Sequence, residues 1–504
     1  MGCRSLRASV TGAAFCVCAA CASPTPELGT DPVGTGATGG GAGNGGIGGS
    51  AGGGGSGGTT MNAVVSATCT SQIANVLRAD CGVSLESEAI ATLVFTDPAG
   101  ESLEFRSSSS ATTHALVAWG LLPATKYTWV VAPEGGGGDK SGTLTTGVLP
   151  EYADVDPIVT GTAGVEAVAV PFGCGRSDVF VVLDAVGRVR WYEALAGEYD
   201  ALSGVGFLPD SAGVVGVVNN DRVVEVQMTG EITKDWTMEE LGVAKAVHHM
   251  AYSAGEILYL VTSEEQEQDG RDIVIDGVIA LDMVGTVIHE WTTNDAMDPW
   301  SMPAVGFGHN YWAVEFPGAE DLTHLNGIHV DGQNRLTASL LEFDTVIQVD
   351  FDPTSPTYLQ NLWVLAGGLE IPMGTDFVNT TSVGGELGFT SQHHPTFVDG
   401  HLLTLSDNRT PSAAARTLEI EIDESSGTAN IVQKHSFGET CPVQGSVFLQ
   451  DDGSVIATCA AAKTVVQFAD GGGDTPQWSM EMKCRDGGIS FGIMSEGKPV
   501  DLPN

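Results

Sequence analysis

From residue 63 onward the chain is built of short runs in which apolar and polar residues alternate, separated by turn formers. Alternation with a period of two predicts strands with one face buried. Beyond about residue 155 one arrangement recurs six times: an alternating strand, a turn, then a second strand that often ends in Trp. The first copy is Val181-Val182-Leu183-Asp184 with Gly187 and Trp191, and the second is Val223-Val224-Glu225-Val226 with Gly230 and Trp236. Val278 to Asp282 with Gly285 and Trp291, then Val346 to Asp350 with Trp363, follow. The fifth copy, Leu418 to Asp423 with Gly427, carries His435 in place of Trp, and the sixth is Val465 to Phe468 with Gly471 and Trp478. A second hairpin precedes most copies, with its turn at Gly255, Gly332, Gly400 or Gly453. Two hairpins per unit give a four-stranded antiparallel sheet. Six such sheets around an axis predict a six-bladed β-propeller over residues 155–504.

Residues 63–150 alternate in the same way without the repeat, for example in Ala91-Thr92-Leu93-Val94-Phe95 and Tyr127-Thr128-Trp129-Val130-Val131. Leu122-Pro123-Ala124-Thr125-Lys126-Tyr127 resembles the tyrosine corner of fibronectin type III modules, in which a Tyr hydroxyl bonds back to the backbone. The expected fold class is therefore all-β, a small fibronectin type III-like β-sandwich ahead of the propeller.

The first 62 residues read differently. Arg4 and Arg7 precede a small-apolar stretch ending Cys18-Ala19-Ala20-Cys21, the shape of an export signal over residues 1–21. Its exit resembles a bacterial lipobox, which makes Cys21 the candidate lipidation site. Between Gly29 and Gly58, 17 of 30 residues are glycine, so residues 22–62 are expected to form a flexible tether unable to bury a core. Past the signal six cysteines remain, an even number that suits disulfides in an exported protein. Proximity favours Cys69–Cys81 and Cys441–Cys459, leaving Cys174 with Cys484 to tie the start of the propeller to its end; fifteen pairings are open in principle. The formal net charge of −42 argues against a nucleic-acid partner and against a basic membrane patch, so a membrane is reached only through the lipid.

Candidate chemistry lies in the histidines. Of 11, six fall in three clusters: His248-His249, His324 with His329, and His393-His394. His249 lies six residues before Gly255, His324 eight before Gly332 and His393 seven before Gly400, near-equivalent places in three blades. Inner strands of a propeller run in one direction beside the channel, so these residues converge at one end of the axis. Imidazoles gathered there suit nucleophilic or acid–base chemistry, or metal ligation. No acidic residue adjoins the His pairs, since Met250 and Pro395 follow them, and no metal site is assigned.

Residues 155–504 resemble the bacterial aryl-sulfate sulfotransferases. The resemblance rests on His248-His249, then Thr323-His324-Leu325-Asn326-Gly327-Ile328 with Asp331, and Trp363-Val364-Leu365-Ala366-Gly367-Gly368. Gln392-His393, Ser406-Asp407-Asn408 and Arg416 complete it. It implies a periplasmic six-bladed propeller that moves a sulfuryl group from a phenolic sulfate to a phenol through a sulfohistidine. It implies no cofactor and no nucleotide sulfate donor. Carried over, His393 is the nucleophile, and His249 and His324 bind the sulfuryl or phenolic oxygens, acting as acid and then base. Asn326 lies near the sulfuryl group; His248, His394 and Asn408 complete the expected substrate site. The family also carries an Arg in the strand after His-x-Asn, where this chain has Leu341, with Arg409 the nearest replacement. That departure keeps two alternatives open, a non-catalytic binding propeller and a metal-dependent hydrolase or lyase with the three His as ligands.

Overall fold

The structure is a computed structural model. It describes residues 62–503 except 196, 198–199, 209–211, 244–245, 253–256, 302–310, 368–375, 377–386, 409–412, 472, 486–489 and 492–496; the side chains of 246–252, 301, 490 and 491 are also outside it. The expected signal, tether and Cys21, the Gly255 turn and Arg409 lie outside the described residues, as do the side chains of His248 and His249.

Six antiparallel sheets form the propeller. From the axis outward, blade 2 is Leu202–Phe207, Gly213–Val218, Arg222–Gln227 and Ile232–Thr237. Blade 3 is Ala246–Tyr252, Leu258–Gln268, Arg271–Leu281 and Val287–Thr292. Blade 4 is Leu325–Val330, Arg335–Leu340, Thr345–Asp350 and Asn361–Ala366, and blade 5 is Gln392–Val398, Leu402–Asp407, Arg416–Asp423 and Thr428–Ser436. The six sequence copies are the two outer strands of each blade. In five blades their pairing slips by one residue, as between Val182 and Leu183 or Ala280 and Leu281. Gly187, Gly230 and Gly285 take up φ of 86°, 91° and 85° at these turns, and each N–H returns to the carbonyl three residues back. A tight turn followed by a left-handed residue demands glycine, which explains its fixed place in the repeat. The strand-ending Trp191, Trp291, Trp363 and Trp478 are buried, and His435 replaces the fifth by stacking on Phe468 at 4.7 Å.

The ring closes by exchange of its ends. Blade 1 (Ala167–Pro171, Val179–Asp184, Val189–Ala194) receives its innermost strand, Lys498–Val500, from the C-terminus. Blade 6 (Val447–Leu449, Val455–Cys459, Thr464–Phe468, Trp478–Glu481) takes Ile158–Gly161 as an outer fifth strand. The Cys174–Cys484 disulfide spans 310 residues across the same junction, so strand pairing and a covalent bond both hold the ring shut. Cys69–Cys81 and Cys441–Cys459 are also joined. All three disulfides suit an extracytoplasmic location, and among the described residues no helix is long and apolar enough to cross a membrane.

Two facing sheets make the N-terminal sandwich, one around Asn62–Ser71, Ala79–Ala89 and Ala111–Ala118, the other around Ser102–Arg106, Ala91–Thr96, Lys126–Pro133 and Lys140–Thr145. The Leu122 N–H donates to the Tyr127 hydroxyl at 2.7 Å, the expected tyrosine corner. Two buried arginines fasten the sandwich to the propeller. Arg78 donates to Met228 O at 2.9 Å and meets Glu193 at 2.7 Å. Arg190 donates to Gly120 O at 2.7 Å and pairs with Glu101. Each buried guanidinium is paired and hydrogen-bonded, as its desolvation requires.

Candidate active site

The inner strands of blades 3, 4 and 5 share an irregularity that shapes the site. In blade 4 the pairing jumps from Leu325 opposite Leu340 to Ile328 opposite Ala338, three steps against two. Blade 5 jumps from His393 opposite Ser406 to Thr396 opposite Thr404, and blade 3 from Val247 opposite Thr262 to Met250 opposite Leu260. A bulge re-aims side chains and ends regular pairing. The residues inside these bulges are His248-His249, Asn326-Gly327 and His394-Pro395, so His248, Asn326 and His394 share one register position. His324, Gln392 and Ala246 share another, and His393 follows one residue later. The near-equivalence read from the sequence therefore holds to within three positions. Pro395 cannot donate to a ladder, and a Cβ on Gly327 would fall 2.7 Å from its ring, so glycine lets blades 4 and 5 close up here.

His324 leads into blade 4 in the left-handed region, with φ 45°, and is buried. Its Nδ1 lies 2.6 Å from the Asp321 carboxylate, and Tyr311 sets its ring edge-on at 5.8 Å. The Tyr311 hydroxyl donates to Asn220 of blade 2, so this segment reaches across the same end of the molecule. His393 leads into blade 5, also buried, with Nδ1 3.1 Å from Ser391 O and 3.2 Å from the Asn408 amide nitrogen. A carbonyl only accepts and an amide NH2 only donates, so the two contacts hold Nδ1 in place while asking opposite roles of it. Asn408 is itself held by Gln444 O at 3.1 Å and by the Ser406 hydroxyl at 3.2 Å. Asn326 Nδ2 donates to Gln392 O at 2.8 Å, tying the starts of the two inner strands together across the seam between blades. Gln392 in turn reaches Ser339 Oγ, Leu340 O and Thr345 O in blade 4 at 3.0 to 3.1 Å.

A carboxylate holds each lead-in loop, buried Asp276 at blade 4 and half-buried Asp344 at blade 5. Asp276 accepts the Leu325 N–H at 2.8 Å and the Thr323 hydroxyl, on either side of His324; burial, then the nearby Asp321, pushes its carboxyl up. Asp344 accepts the Ser391 N–H at 2.8 Å and is pushed up to about 6, first by burial, with Asp407 and Glu342 adding to the effect. Ser391, at φ 52°, and Asp344, at φ 47°, add to the left-handed backbone at these loops, conformations that only tight packing sustains.

His394 turns away from His393. Its Nδ1 accepts the Val447 N–H of blade 6 at 3.4 Å, just as His329 accepts the Phe397 N–H of blade 5 at 3.4 Å. Each ring thus caps an inner-strand N–H that has no ladder partner on its channel edge. Burial, then the neighbouring His329, pushes His394 down to about 3, and burial pushes His329 down to about 4, so both are neutral at physiological pH. With Nδ1 accepting, the proton resides on Nε2, which disfavours metal ligation through that atom. Leu341 is buried beside the start of blade 4, its N–H donating to His324 O, so an apolar side chain occupies this place next to His324. Sequence reasoning missed Asp321, although Asp-x-x-His was there to read; Ser391, acting through its carbonyl, left no signal.

The family model for Arylsulfotransferase (ASST) matches residues 174–499, well over half of the chain. Among curated proteins nothing matches. A structure of a protein of unknown function from Bacteroides caccae is similar over 61% of this chain and 92% of its own, at 10% identity and TM-score 0.35. Virginiamycin B lyase from Staphylococcus aureus, an inactive variant with quinupristin, is similar over 62% of this chain and 85% of its own, at 10% identity and TM-score 0.33. A streptogramin B lyase gives 66% and 88% at 8% identity and TM-score 0.35. Likenesses this distant say nothing about chemistry.

Proposed function

The chain belongs to the arylsulfotransferase family, and on that premise we propose that it transfers a sulfuryl group from a phenolic sulfate ester to a phenol through a sulfohistidine at His393, without a nucleotide donor. The observation that supports this reading best is the placement of His393, buried at the start of the blade 5 inner strand with Nδ1 held between Ser391 O and the Asn408 amide, so that Nε2 is the nitrogen assigned to attack. The Nε2 lone pair forms the N–S bond as the S–O bond to the aryl group breaks, and the departing phenolate takes a proton from His324. In the second half the acceptor phenol returns a proton to His324 as its oxygen attacks sulfur and the N–S bond breaks. One hard displacement becomes two easier ones, with one group serving as acid and then base. Asp321 behind His324 supports the positive ring this role needs, as a carboxylate does behind a catalytic imidazole. Asn326, His248, His249 and Asn408 are assigned to binding. Attachment to the cell envelope through Cys21 and the glycine tether belongs to the same proposal.

The decisive experiment mixes the full-length protein with a radiolabelled aryl sulfate, quenches rapidly in alkali and weighs the peptide that contains His393. Alkali matters because sulfohistidine is acid-labile. The expected result is label on that peptide, discharged by added phenol. An unlabelled peptide at every quench time rules the mechanism out and leaves a binding propeller, the reading that Leu341 favours.

A further inference from the structure

Gln444 lies just ahead of the inner strand of blade 6, in the left-handed region with φ 54°, and is 1% exposed. Neither its Oε1 nor its Nε2 has a hydrogen-bond partner among the described residues. Burying a carboxamide with both ends idle opposes folding, so its place must be dictated by something else. Its surroundings are rigid. The Gln444 carbonyl accepts from Asn408 Nδ2 at 3.1 Å, and the same nitrogen lies 3.2 Å from His393 Nδ1. A Cβ on the following Gly445 would fall 2.7 Å from Ser406 Oγ and 3.0 Å from Thr458 O, so the loop is pressed onto blades 5 and 6. The Cys441–Cys459 disulfide fixes the start of that loop. Through its carbonyl the Gln444 backbone is thus tied to Asn408, which also meets His393, and the buried side-chain amide keeps its own donor and acceptor unspent.

We infer that Gln444 is a further substrate-binding residue, its Nε2–H donating to a sulfuryl oxygen of the ester held at His393. This rests on the proposed sulfuryl transfer and adds to it a donor that no sequence motif marks. The sulfuryl oxygens are the strongest acceptors that such a substrate brings, and their contact with a preorganised neutral donor strengthens as sulfur passes between oxygen and nitrogen. Leu341 supplies no cation at the start of blade 4, so an uncharged donor on the opposite side of His393 has more to do. An amide also binds the anionic group without creating an ion pair in a chain of net charge −42.

The test compares wild type with Gln444→Met, which keeps the length of the side chain and removes its donor. At saturating 4-nitrophenyl sulfate, labelling of His393 should slow roughly 10²-fold, the usual loss for one such donor. Because no protein hydrogen bond is lost, Tm should stay level or rise. Labelling within about threefold of wild type overturns the assignment. So does a slow variant whose Tm falls, since that pattern marks a structural hydrogen bond. If wild type itself never takes up label, the transfer reading fails separately. Equilibrium dialysis of inorganic sulfate against His393→Ala and His393→Ala/Gln444→Met then decides: weaker binding by the double variant upholds the donor, and equal binding refutes it.

Discussion

The inner strands of blades 4 and 5 begin alike and are finished differently. Each carries a buried histidine at its start, and each lead-in loop is gripped by a carboxylate, the buried Asp276 in one case and the half-buried Asp344 in the other. At blade 4 a second carboxylate, Asp321, meets the imidazole itself at Nδ1. At blade 5 the same ring atom meets two neutral groups, the Ser391 carbonyl and the Asn408 amide nitrogen. A carboxylate behind an imidazole stabilises its charged form, whereas neutral partners add no charge. On the proposed transfer, the contrast suits a proton carrier at blade 4 and a neutral nucleophile at blade 5. Two copies of one repeat would then take complementary roles through their different partners at Nδ1.

The largest expected effect comes from removing the neutral partner. His393→Ala should lower transfer by roughly 10⁴-fold or more, as loss of a covalent nucleophile does. His324→Ala should spare label formation from donors with good leaving groups. If both substitutions abolish labelling equally with 4-nitrophenyl sulfate, the division of roles is wrong. Asp321→Asn is next, with an expected loss of roughly 10²-fold for esters of weakly acidic phenols, within the range of general acid–base contributions. The loss should shrink for 4-nitrophenyl sulfate, whose phenolate departs without a proton. A loss independent of the leaving group would mean that Asp321 only props up the loop.

Much of the fold was legible because a propeller repeats its local physics. The turn glycine and strand-ending Trp recur because each outer hairpin needs a left-handed residue and a large side chain between blades; even His435 betrays its place by sequence position. The closing strand Lys498-Pro499-Val500 was not legible, being too short for a period and interrupted by proline. Cys174 and Cys484 revealed the closure instead, since their pairing followed from the two nearer pairs. For the site, histidine clustering pointed to the starts of the inner strands of blades 3, 4 and 5, where the proposed function puts the chemistry. It could not say which histidine faces which partner, because that depends on bulges of three residues against two. His394 shows the limit: adjacent to His393 in sequence, its ring bonds blade 6 instead. Gln444 and Ser391 contribute through position alone, and no residue type signals that.

The smallest expected effect tests the other half of the comparison, that Asp344 grips backbone and not the reacting ring. Its folded carboxyl titrates near 6, above its ordinary value of 3.8, because burial disfavours the charge. A raised carboxyl favours the folded state while it is protonated, and that contribution is lost as pH rises through about 6. Above this pH the protein holds an ionised carboxylate near Asp407 and Glu342, which Asp344→Asn relieves while its amide oxygen still accepts the Ser391 N–H. The variant should therefore melt higher than wild type at pH 7.5 and the same at pH 3.5. Transfer at neutral pH should stay within about threefold, since His393 keeps its carbonyl partner. A loss of transfer as deep as that of Asp321→Asn, with no gain in Tm, would place Asp344 in the chemistry and erase the distinction between blade 4 and blade 5.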